Sequence, residues 1–394
     1  MLSRFPRLRA VARNLKRRVR SPILRRLRSS SWYRRISRLP RNEIVSCRDY
    51  AREHAHDGWT SYHEVHSAGR APIPPEPDAA GSASPLFADI RVPEFPVTFA
   101  ARLSHCRLYG RGIAVIGADG RVIAEGSAHI GGGPEDHAVM GRAWLPRPEH
   151  LAGTTAVLAA PAGNTYYHWL FDVLPRIALL EAAGIDLDAL DRFAVNSFDR
   201  GYQRETLARF RIDASRIVET DRLRHLVCER LVLPSYPGTS GFPPRWACEF
   251  LRRSFLEEPA GPQRPGPERL YVSRQGASRR RIANHDALES LLMRSGFETV
   301  HPERHTVTEQ ARWFRSARVV VAPHGSGLAN LVFCDPGTRV IELFPPDMTG
   351  QSHYFVLSRQ MGIRYRSLIG LGDRKRRSLG DFEVPLEHLA RLLS

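Results

Sequence analysis

The sequence predicts an α/β protein in which strands and helices alternate along the chain. Beyond Thr155, apolar segments such as TAVLAAPAG and RLVLPSYPG are separated by segments with helical periodicity, and this alternation is typical of a layered α/β domain. Residues 319–330, VVVAPHGSGLAN, run an apolar β-branched strand through a small-residue turn into a helix start. The length of 394 residues favours two packed domains with flanking segments.

Composition divides the chain into four segments. Residues 1–45 form a basic arm, and residues 46–95 form an irregular or linker region because Pro, Ala, Ser and Gly dominate from Arg70 onwards. Residues 96–258 form an N-terminal α/β domain. The Pro- and Gly-rich run EEPAGPQRPGPE then connects it to a C-terminal domain at 268–394.

A β-hairpin is predicted near the start of the N-terminal domain. Residues 112–116 and 121–125 are β-prone segments, and they are joined through Asp119 and Gly120. An Asp-Gly pair favours a tight hairpin turn because glycine adopts positive φ without a steric penalty.

The C-terminal domain is predicted to be Rossmann-like, because short strands and helices alternate regularly through it. Asn284 is expected to cap one helix, with Gly296 just past its end. Thr306 and Glu309 have capping-box spacing ahead of another helix. The predicted strands are 270–272, 318–322 and 339–343, and a short helix is predicted at 326–333.

The net charge of +17 is concentrated in the arm. Residues 1–41 contain 15 of the 58 Lys and Arg and no acid, so the remaining residues carry 43 bases against 41 acids. Three interpretations of the arm stay open. In the first, amphipathic helical pieces of the arm lie on an anionic membrane surface. In the second, the arm is a disordered tail or contacts a partner protein. In the third, it binds nucleic acid.

The cysteines and the hydropathy pattern indicate a cytoplasmic protein. The five cysteines are odd in number, widely spread and form no CxxC pair, which argues against a disulfide framework or a zinc site. No apolar run reaches the roughly 18 residues that a membrane span needs, and the N-terminus lacks the apolar core of a signal peptide.

The turn in VVVAPHGSGLAN is a candidate anion site. It follows the carboxyl end of a predicted parallel strand, where open α/β sheets bind ligands. Gly325 and Gly327 let the backbone approach a ligand, and the helix start presents unpaired N–H groups to a phosphate. Ser326 lacks the flanking glycines of a hydrolase nucleophile elbow, and Asn330 replaces the small residue of a dinucleotide motif. A tight turn without a ligand stays an alternative, in which His324 only caps the loop.

The segment NTYYHWLFDVLPR places three ionisable residues at helical spacing. His168, Asp172 and Arg176 are separated by four residues each and are expected to share one face of a helix that Pro175 kinks. Apolar neighbours such as Trp169 indicate that much of this helix is buried. The residues form either a surface ion-pair ladder or a His/Asp general base. A metal held by His168 and Asp172 alone would lack ligands.

Two further charged residues lie near predicted strand ends. Arg274 follows the strand 270–272, where an arginine suits bidentate contact with phosphate or carboxylate. The run 279–281 is three arginines, and such runs are usually solvated. Glu342 is either a core carboxylate paired with an arginine or an acceptor for ribose hydroxyls.

Three segments together resemble glycosyltransferase family 61, a group that includes bacterial enzymes of the capsular-polysaccharide type. The segments are NTYYHWLFDVLPRI, LYVSRQGASRRRIANHDALESLLMRSGF and EQARWFRSARVVVAPHGSGLANLVFCDPGTRVIEL. The resemblance covers residues 155–343, and the order and spacing of the segments carry it. One position departs from the family pattern, because His285 stands after Asn284 where members commonly have a glutamate.

The resemblance implies a GT-B-like fold, with two Rossmann-like domains that face each other across a cleft. It also implies an inverting transferase that needs no metal or other cofactor and takes a nucleotide-sugar as donor substrate. The implied acceptor is a saccharide or a lipid-linked hydroxyl in surface or capsular polysaccharide synthesis. Such an enzyme would work in the cytoplasm, at the inner face of the plasma membrane if the arm binds anionic lipid.

The resemblance also implies roles for the candidate residues. His168 or Asp172 is the base that deprotonates the acceptor hydroxyl, and Arg176 orients or neutralises it. The leaving phosphate is stabilised by Arg274, His324 and the N–H groups of the turn. The expected donor-binding residues are Ser273, Arg274, Gln310, His324, Gly325, Ser326, Gly327, Leu328, Asn330 and Glu342.

Two rival functions follow from other features of the sequence. The high pI favours a nucleic-acid-binding protein, but the charge is confined to the arm and the body has no nucleic-acid recognition motif, so no nucleic acid is expected as partner. The departure at His285 favours a catalytically inactive scaffold.

Overall fold

The computed structural model contains two β-sheets flanked by helices. It describes residues 30–41, 43–70, 87, 90, 94–110, 113–127, 137–222, 224–257, 266–276, 279–346, 351–372 and 380–393. The strands are β1 (Ile44–Val45), β2 (Ser61–His66), β3 (Thr98–Ser104), β4 (Arg107–Tyr109), β5 (Ala114–Ile116), β6 (Val122–Ile123), β7 (Glu149–Val157), β8 (Arg192–Val195), β9 (Ile217–Glu219), β10 (His225–Pro234), β11 (Arg269–Val272), β12 (Glu298–Val300), β13 (Val319–Pro323), β14 (Arg339–Phe344) and β15 (Arg364–Ile369).

The helices connect the strands and cover the sheets. They are α1 (Ser31–Ser37), α2 (Cys47–His54), α3 (Tyr166–His168), α4 (Pro175–Ala182), α5 (Gly201–Arg209), α6 (Arg245–Leu256), α7 (His285–Arg294), α8 (Val307–Ser316), α9 (His353–Gln360) and α10 (Leu386–Leu393), with a π turn at Trp169–Val173 and a 3₁₀ helix at Ser326–Phe333. None of the helices in the described ranges is long and apolar enough to span a bilayer.

The first sheet is mixed. Its order is β1-β6-β5-β4-β10-β7-β8-β9, and β3 adds to β10 and carries β2 at its edge. The strands β10, β7, β8 and β9 run parallel to one another, as the α/β alternation predicted, whereas β10 is antiparallel to β3 and β4. The hairpin of β5 and β6 is confirmed, and Gly120 in its turn has φ +88°.

Part of the region expected to be irregular belongs to this sheet. α2 and β2 lie within that region, and β2 pairs with β3 in antiparallel fashion, while β1 falls at the end of the segment 1–45 assigned to the arm. β2 has a polar sequence, SYHEVH, and no buried residue, because it is an edge strand. Its sequence therefore lacks the apolar alternation by which a half-buried strand is recognised.

The second sheet is entirely parallel, with the order β12-β11-β13-β14-β15. The chain moves from β11 to β12 on one side and returns to β13 on the other. The strand order therefore reverses between β11 and β13, and ligands of open α/β sheets bind outside the carboxyl ends at such a point. Arg274 follows β11 there, and His324 follows β13.

The helix ends of the C-terminal half agree with the sequence in part. Thr306 and Glu309 form the predicted capping box at the start of α8, and Gly296 follows α7 with φ +78°. Asn284 precedes α7, but the prediction of a side-chain cap is wrong. Its amide instead donates to Val384 O and accepts from Val384 N, both at 2.9 Å, so it joins this helix to the C-terminal segment.

The helix expected to carry His168, Asp172 and Arg176 is interrupted by the π turn. Pro175 offers no N–H, and Leu174 N donates to Trp169 O at 3.0 Å, five residues back. The extra residue in this turn changes the helical phase beyond it. Beyond the turn, Arg176 is only 1% exposed, and burial lowers the pKa of its guanidinium, whereas the nearby charge of Asp172 still acts to raise it.

The two sheets are joined through one hydrophobic core, in which Phe255 of α6 meets Phe333 of the 3₁₀ helix at 5.8 Å between ring centroids. The Glu205 carboxylate accepts from Val307 N at 2.6 Å and from Thr308 N at 3.0 Å. These are N–H groups of the first turn of α8, which attract negative charge. Polar contacts therefore supplement the core where the halves meet.

Several expectations concern residues that the description does not include. Residues 1–29 of the arm and residues 258–265 of the connecting run lie outside it, as do residues 71–86 of the linker region. The interpretations of these segments stay predictions. The five cysteines are all buried as free thiols.

Candidate active site

A histidine–carboxylate pair lies at the junction of α3 and the π turn. His168 Nδ1 donates to Asp172 Oδ2 at 2.6 Å, and the side chains are 24% and 14% exposed. Ser240 Oγ is 3.5 Å from the same nitrogen. Because Nδ1 is held by the carboxylate, Nε2 is the nitrogen left to exchange protons, and it has no hydrogen-bond partner among the described residues.

A second histidine–carboxylate pair lies at the carboxyl end of the parallel sheet. His324 Nδ1 donates to Glu342 Oε1 at 2.5 Å, and the hydroxyl of Tyr365 donates to the other oxygen. Burial and the charge of Glu342 raise the pKa of Tyr365, so this hydroxyl keeps its proton. Glu342 is a core carboxylate, as one interpretation of the sequence held. Its hydrogen-bond partners are a histidine and a tyrosine, where that interpretation expected an arginine. The side chain has no exposed surface that could reach a ribose hydroxyl.

Two tyrosine rings connect the pairs. The Tyr167 ring lies 5.4 Å from the His168 ring and 5.8 Å from the Tyr354 ring, between centroids. The Tyr354 ring lies 5.4 Å from the His324 ring. Two imidazoles from opposite halves of the protein therefore face one region, separated by two tyrosines.

A third histidine, His353, lies in the same region at the start of α9. Its ring centroid is 5.6 Å from that of Tyr167. Burial lowers its pKa to about 4, and the nearby positive charges of His324 and His168 add to this shift. His353 is therefore neutral near pH 7. Sequence analysis missed it because a single histidine in QSHYFV carries no motif.

Gly241 makes room for His353. A Cβ atom on Gly241 would lie 2.5 Å from His353 Cδ2, and its φ of +89° is one that other residues rarely adopt. The loop after β10 therefore holds the histidine from the side of the first sheet.

The glycines of the turn accommodate neighbouring side chains of the protein. A Cβ atom on Gly325 would lie 1.8 Å from Arg274 Nη1, and one on Gly327 would lie 3.1 Å from Val272 Cγ1. Gly325 has φ 169°, which is ordinary extended backbone, so space rather than conformation requires glycine there. The turn after β13 thereby brings the Arg274 guanidinium against its backbone.

Arg274 and Arg280 form a positively charged corner beside this turn. Burial lowers the pKa of Arg274, and the charge of Arg280 lowers it further, while Tyr354 and Glu303 act in the opposite direction. Burial also lowers the pKa of Arg280. Arg274 Nε is buried without a hydrogen-bond partner among the described residues. Two neighbouring cations partly removed from water favour the binding of an anion.

Arg280 was overlooked because the three-arginine run was interpreted as solvated. Arg279 and Arg281 are exposed as expected, and Arg281 pairs with Asp381 at 2.8 Å. Arg280 has φ 56°, and this left-handed turn separates its direction from that of its neighbours. The sequence signal for one partly buried arginine in such a run is weak.

The turn also offers backbone donors. The N–H groups of Ser326 and Gly327 begin the 3₁₀ helix, and neither has a partner among the described residues. Both residues are partly exposed. Leu328 is buried, and its N–H donates to Gly325 O at 2.9 Å, so it offers no donor to a ligand.

Three other residues expected to contact a donor are buried in hydrogen bonds. The hydroxyl of Tyr166 donates to Asn330 Oδ1 and Asn330 Nδ2 donates to Gln310 Oε1, both at 2.7 Å. Gln310 Nε2 in turn donates to Pro302 O at 2.8 Å. Ser273 is 3% exposed, and its hydroxyl accepts a hydrogen bond from Gln275 N at 3.3 Å. Asn330 and Gln310 thus hold α3 to the second half of the protein.

Arg176 and His285 are likewise held within the structure. The Arg176 guanidinium donates to Ala159 O at 2.6 Å and to Pro234 O, just beyond β7 and at the end of β10. His285 Nε2 is 3.3 Å from the Glu289 carboxylate on the same helix. No group of three or more possible metal ligands occurs within the described ranges.

Most of the parallel sheet, its positively charged corner and both paired histidines lie in a segment that matches a known family. Residues 166–341 match the family model described as Glycosyltransferase 61, so this part of the chain is a glycosyltransferase 61 domain, as the resemblance indicated. The matched segment includes His168, Asp172, Arg274 and His324, and it ends before His353. A search of curated proteins found no match.

Proposed function

We propose that the protein transfers a sugar, with inversion at the anomeric carbon, from a nucleotide-sugar to a hydroxyl of a saccharide or lipid-linked acceptor. The observation that carries this proposal is the meeting of two histidine–carboxylate pairs, one from each half, across Tyr167 and Tyr354. In this proposal the halves form a GT-B-like pair of Rossmann-like domains, and the sugar to be transferred lies between them. The product would enter surface polysaccharide synthesis on the cytoplasmic side of the membrane.

His168 is the base in the proposed mechanism. Its Nε2 takes the proton of the acceptor hydroxyl, and the oxygen attacks the anomeric carbon from the face opposite the leaving group. Asp172 stabilises the imidazolium that forms, because its oxygen already accepts from Nδ1 at 2.6 Å. Asp172 is the less exposed of the two and its oxygen is engaged, so we assign the proton transfer to histidine.

The basic corner binds the donor diphosphate. As the bond from the anomeric carbon to the phosphate oxygen breaks, its electron pair remains on the nucleoside diphosphate. Arg274, Arg280 and the N–H groups of Ser326 and Gly327 stabilise this charge. His324 Nε2 faces the same region and donates to a phosphate oxygen when the ring is protonated.

The buried residues act indirectly. Glu342 holds the His324 ring in one orientation, and Asn330 and Gln310 fix α3 against the second half. Arg176 holds the start of α4 against the first sheet. We therefore propose that these residues position the site without contacting substrate.

Thermal unfolding with a panel of UDP-, GDP-, CMP- and dTDP-sugars tests the proposal. A ligand that binds only the folded state raises the melting temperature, by an amount that grows with its concentration over Kd. We expect one nucleotide class to raise it and the matching sugar to be released or transferred on incubation. A folded protein whose melting temperature responds to none of the four classes contradicts the proposal.

A further inference from the structure

Helix α1 presents one side to the body of the protein and the other to solvent. The hydroxyl of Tyr33 donates to Ala143 O at 2.8 Å, and Leu145 N donates to Ser37 O at 2.8 Å. Tyr33 packs against a buried cluster that contains Leu39 and Leu145. Since Tyr33 and Ser37 are four residues apart, they mark the side of the helix that faces the body.

An adjacent side of α1, turned about 100° from the first, carries exposed apolar side chains. Trp32 and Ile36 are also four residues apart, and they are 70% and 56% exposed. Trp144 is 65% exposed and lies between the two residues that bond to the helix, Ala143 and Leu145. We call Trp32, Ile36 and Trp144 the indole patch. Side chains this large are rarely left exposed together on a soluble surface unless they bind a partner.

The segments that form the indole patch carry an excess of positive charge. Residues 30–41 and 138–148 contain six arginines and no acid. Four of these, Arg38, Arg41, Arg142 and Arg147, are exposed in the structure. Residues 1–29 run directly into this helix and add 11 Lys and Arg, again without an acid. The net positive charge of these segments is therefore complementary to a negatively charged surface.

We infer that the indole patch docks the protein on an anionic lipid bilayer. Tryptophan is enriched at the boundary between headgroups and acyl chains, where its ring is apolar and its N–H meets polar groups. Ile36 extends the same apolar surface, and the arginines around it pair with lipid phosphates. A nucleic acid would match the arginines and could stack on indoles, but it offers no apolar layer for an aliphatic side chain. The inference does not depend on glycosyl transfer.

Sedimentation of the full chain with lipid vesicles tests the inference. Wild-type protein is expected to bind phosphatidylcholine vesicles that contain phosphatidylglycerol and to bind pure phosphatidylcholine much less. The triple variant Trp32→Ser, Ile36→Ser, Trp144→Ser is expected to lower the partition coefficient about tenfold or more, because burying even one large apolar side chain changes an equilibrium by about that factor. The control Met293→Ser, Leu371→Ser alters two other exposed apolar residues and is expected to leave binding unchanged.

Fluorescence quenching and binding to duplex DNA add readouts for the same variants. Brominated acyl chains should quench tryptophan emission in the wild-type protein and quench much less in the triple variant.

Equal partition of wild type and triple variant, or the absence of wild-type binding, overturns the inference. Binding to duplex DNA that the triple variant loses, without vesicle binding, assigns the patch to nucleic acid instead. The response of the melting temperature to nucleotide-sugars should be the same in both proteins, which separates this test from that of the proposed function.

Discussion

The guanidinium of Arg274 lies against the backbone of Gly325, so close that a Cβ atom there would come within 1.8 Å of Nη1. These residues follow β11 and β13, the adjacent strands at which the order of the parallel sheet reverses. The contact therefore sets the position of a cation relative to the N–H groups at the start of the 3₁₀ helix. A phosphate placed there would meet both kinds of donor at once.

Gly325→Ala should weaken nucleotide binding by displacing Arg274. The backbone at Gly325 is extended, so alanine adds no conformational strain, and the far end of a flexible side chain must move instead. We expect the Kd for the nucleoside diphosphate to rise about tenfold, with stability changed by about 1 kcal/mol or less. Titration calorimetry measures the first quantity and urea unfolding the second.

The matched control for this variant is Gly201→Ala, where a Cβ atom would meet nothing within 4 Å. In the double variant Gly325→Ala, Arg274→Ala the alanine at 325 should add little to the loss caused by the missing arginine, because both act on one contact. Fully additive losses would show that Gly325 acts independently of Arg274.

Arg274→Ala should reduce nucleotide affinity far more than Arg281→Ala. A hydrogen bond to a charged group contributes about 1.5–3 kcal/mol, so the Kd should rise roughly 10- to 150-fold. Arg281 is an exposed arginine that pairs with Asp381, and it serves as the control for the loss of one positive charge. Similar Kd values for the two variants would mean that nonspecific charge, and not the corner, attracts the nucleotide.

Variants of the His168–Asp172 pair should lower turnover while leaving nucleotide binding intact. Removing a general base costs roughly 10²–10⁴-fold in rate, so His168→Ala should lower kcat within that range. Asp172→Asn should also lower kcat, because the amide no longer stabilises the imidazolium. The shift of melting temperature by the nucleotide should match wild type in both variants. Loss of that shift would instead indicate that this pair binds the donor.

His353 should make the folded protein less stable in acid. Its folded pKa of about 4 lies below the usual 6.5, so the unfolded chain binds more protons between these values. The free energy of unfolding therefore falls as the pH drops from about 6.5 to 4, by on the order of 1–3 kcal/mol when partial exposure is allowed for. Urea unfolding at several pH values measures this, and the fall should be smaller in His353→Asn.

The exposed histidine His63 provides the comparison for this experiment. His63→Asn should show the same fall in stability as wild type between pH 6.5 and 4. If the free energy of unfolding of His353→Asn falls with pH as in the wild type, then the protonation of His353 does not cause the loss of stability in acid.

The sequence predicted those features that depend on local chemistry. The capping box at Thr306 and the turn at Gly120 are confirmed because side-chain spacing and backbone freedom determine them. The parallel strands were found because strands buried on both faces are continuously apolar. The strand β2 was missed because an exposed edge strand is polar on both faces.

Features that depend on tertiary contacts were not predictable in the same way. The π turn at Trp169–Val173 has Pro175 as its only visible signal in the sequence. The polar side chains of Gln310 and Asn330 could bind either a ligand or each other. Only the folded structure shows that they bind each other. His353 reaches the site because α9 packs beside the 3₁₀ helix, a contact that one sequence does not encode as a pattern.

A crystal structure with the nucleoside diphosphate that gives the largest rise in melting temperature tests the central claim most directly. The account predicts that the diphosphate lies within hydrogen-bond distance of Arg274 and of the N–H groups of Ser326 and Gly327. It also predicts that His168 Nε2 faces the terminal phosphate across the space left for a sugar. A nucleotide bound away from this corner, or a diphosphate in contact with His168 itself, would contradict it.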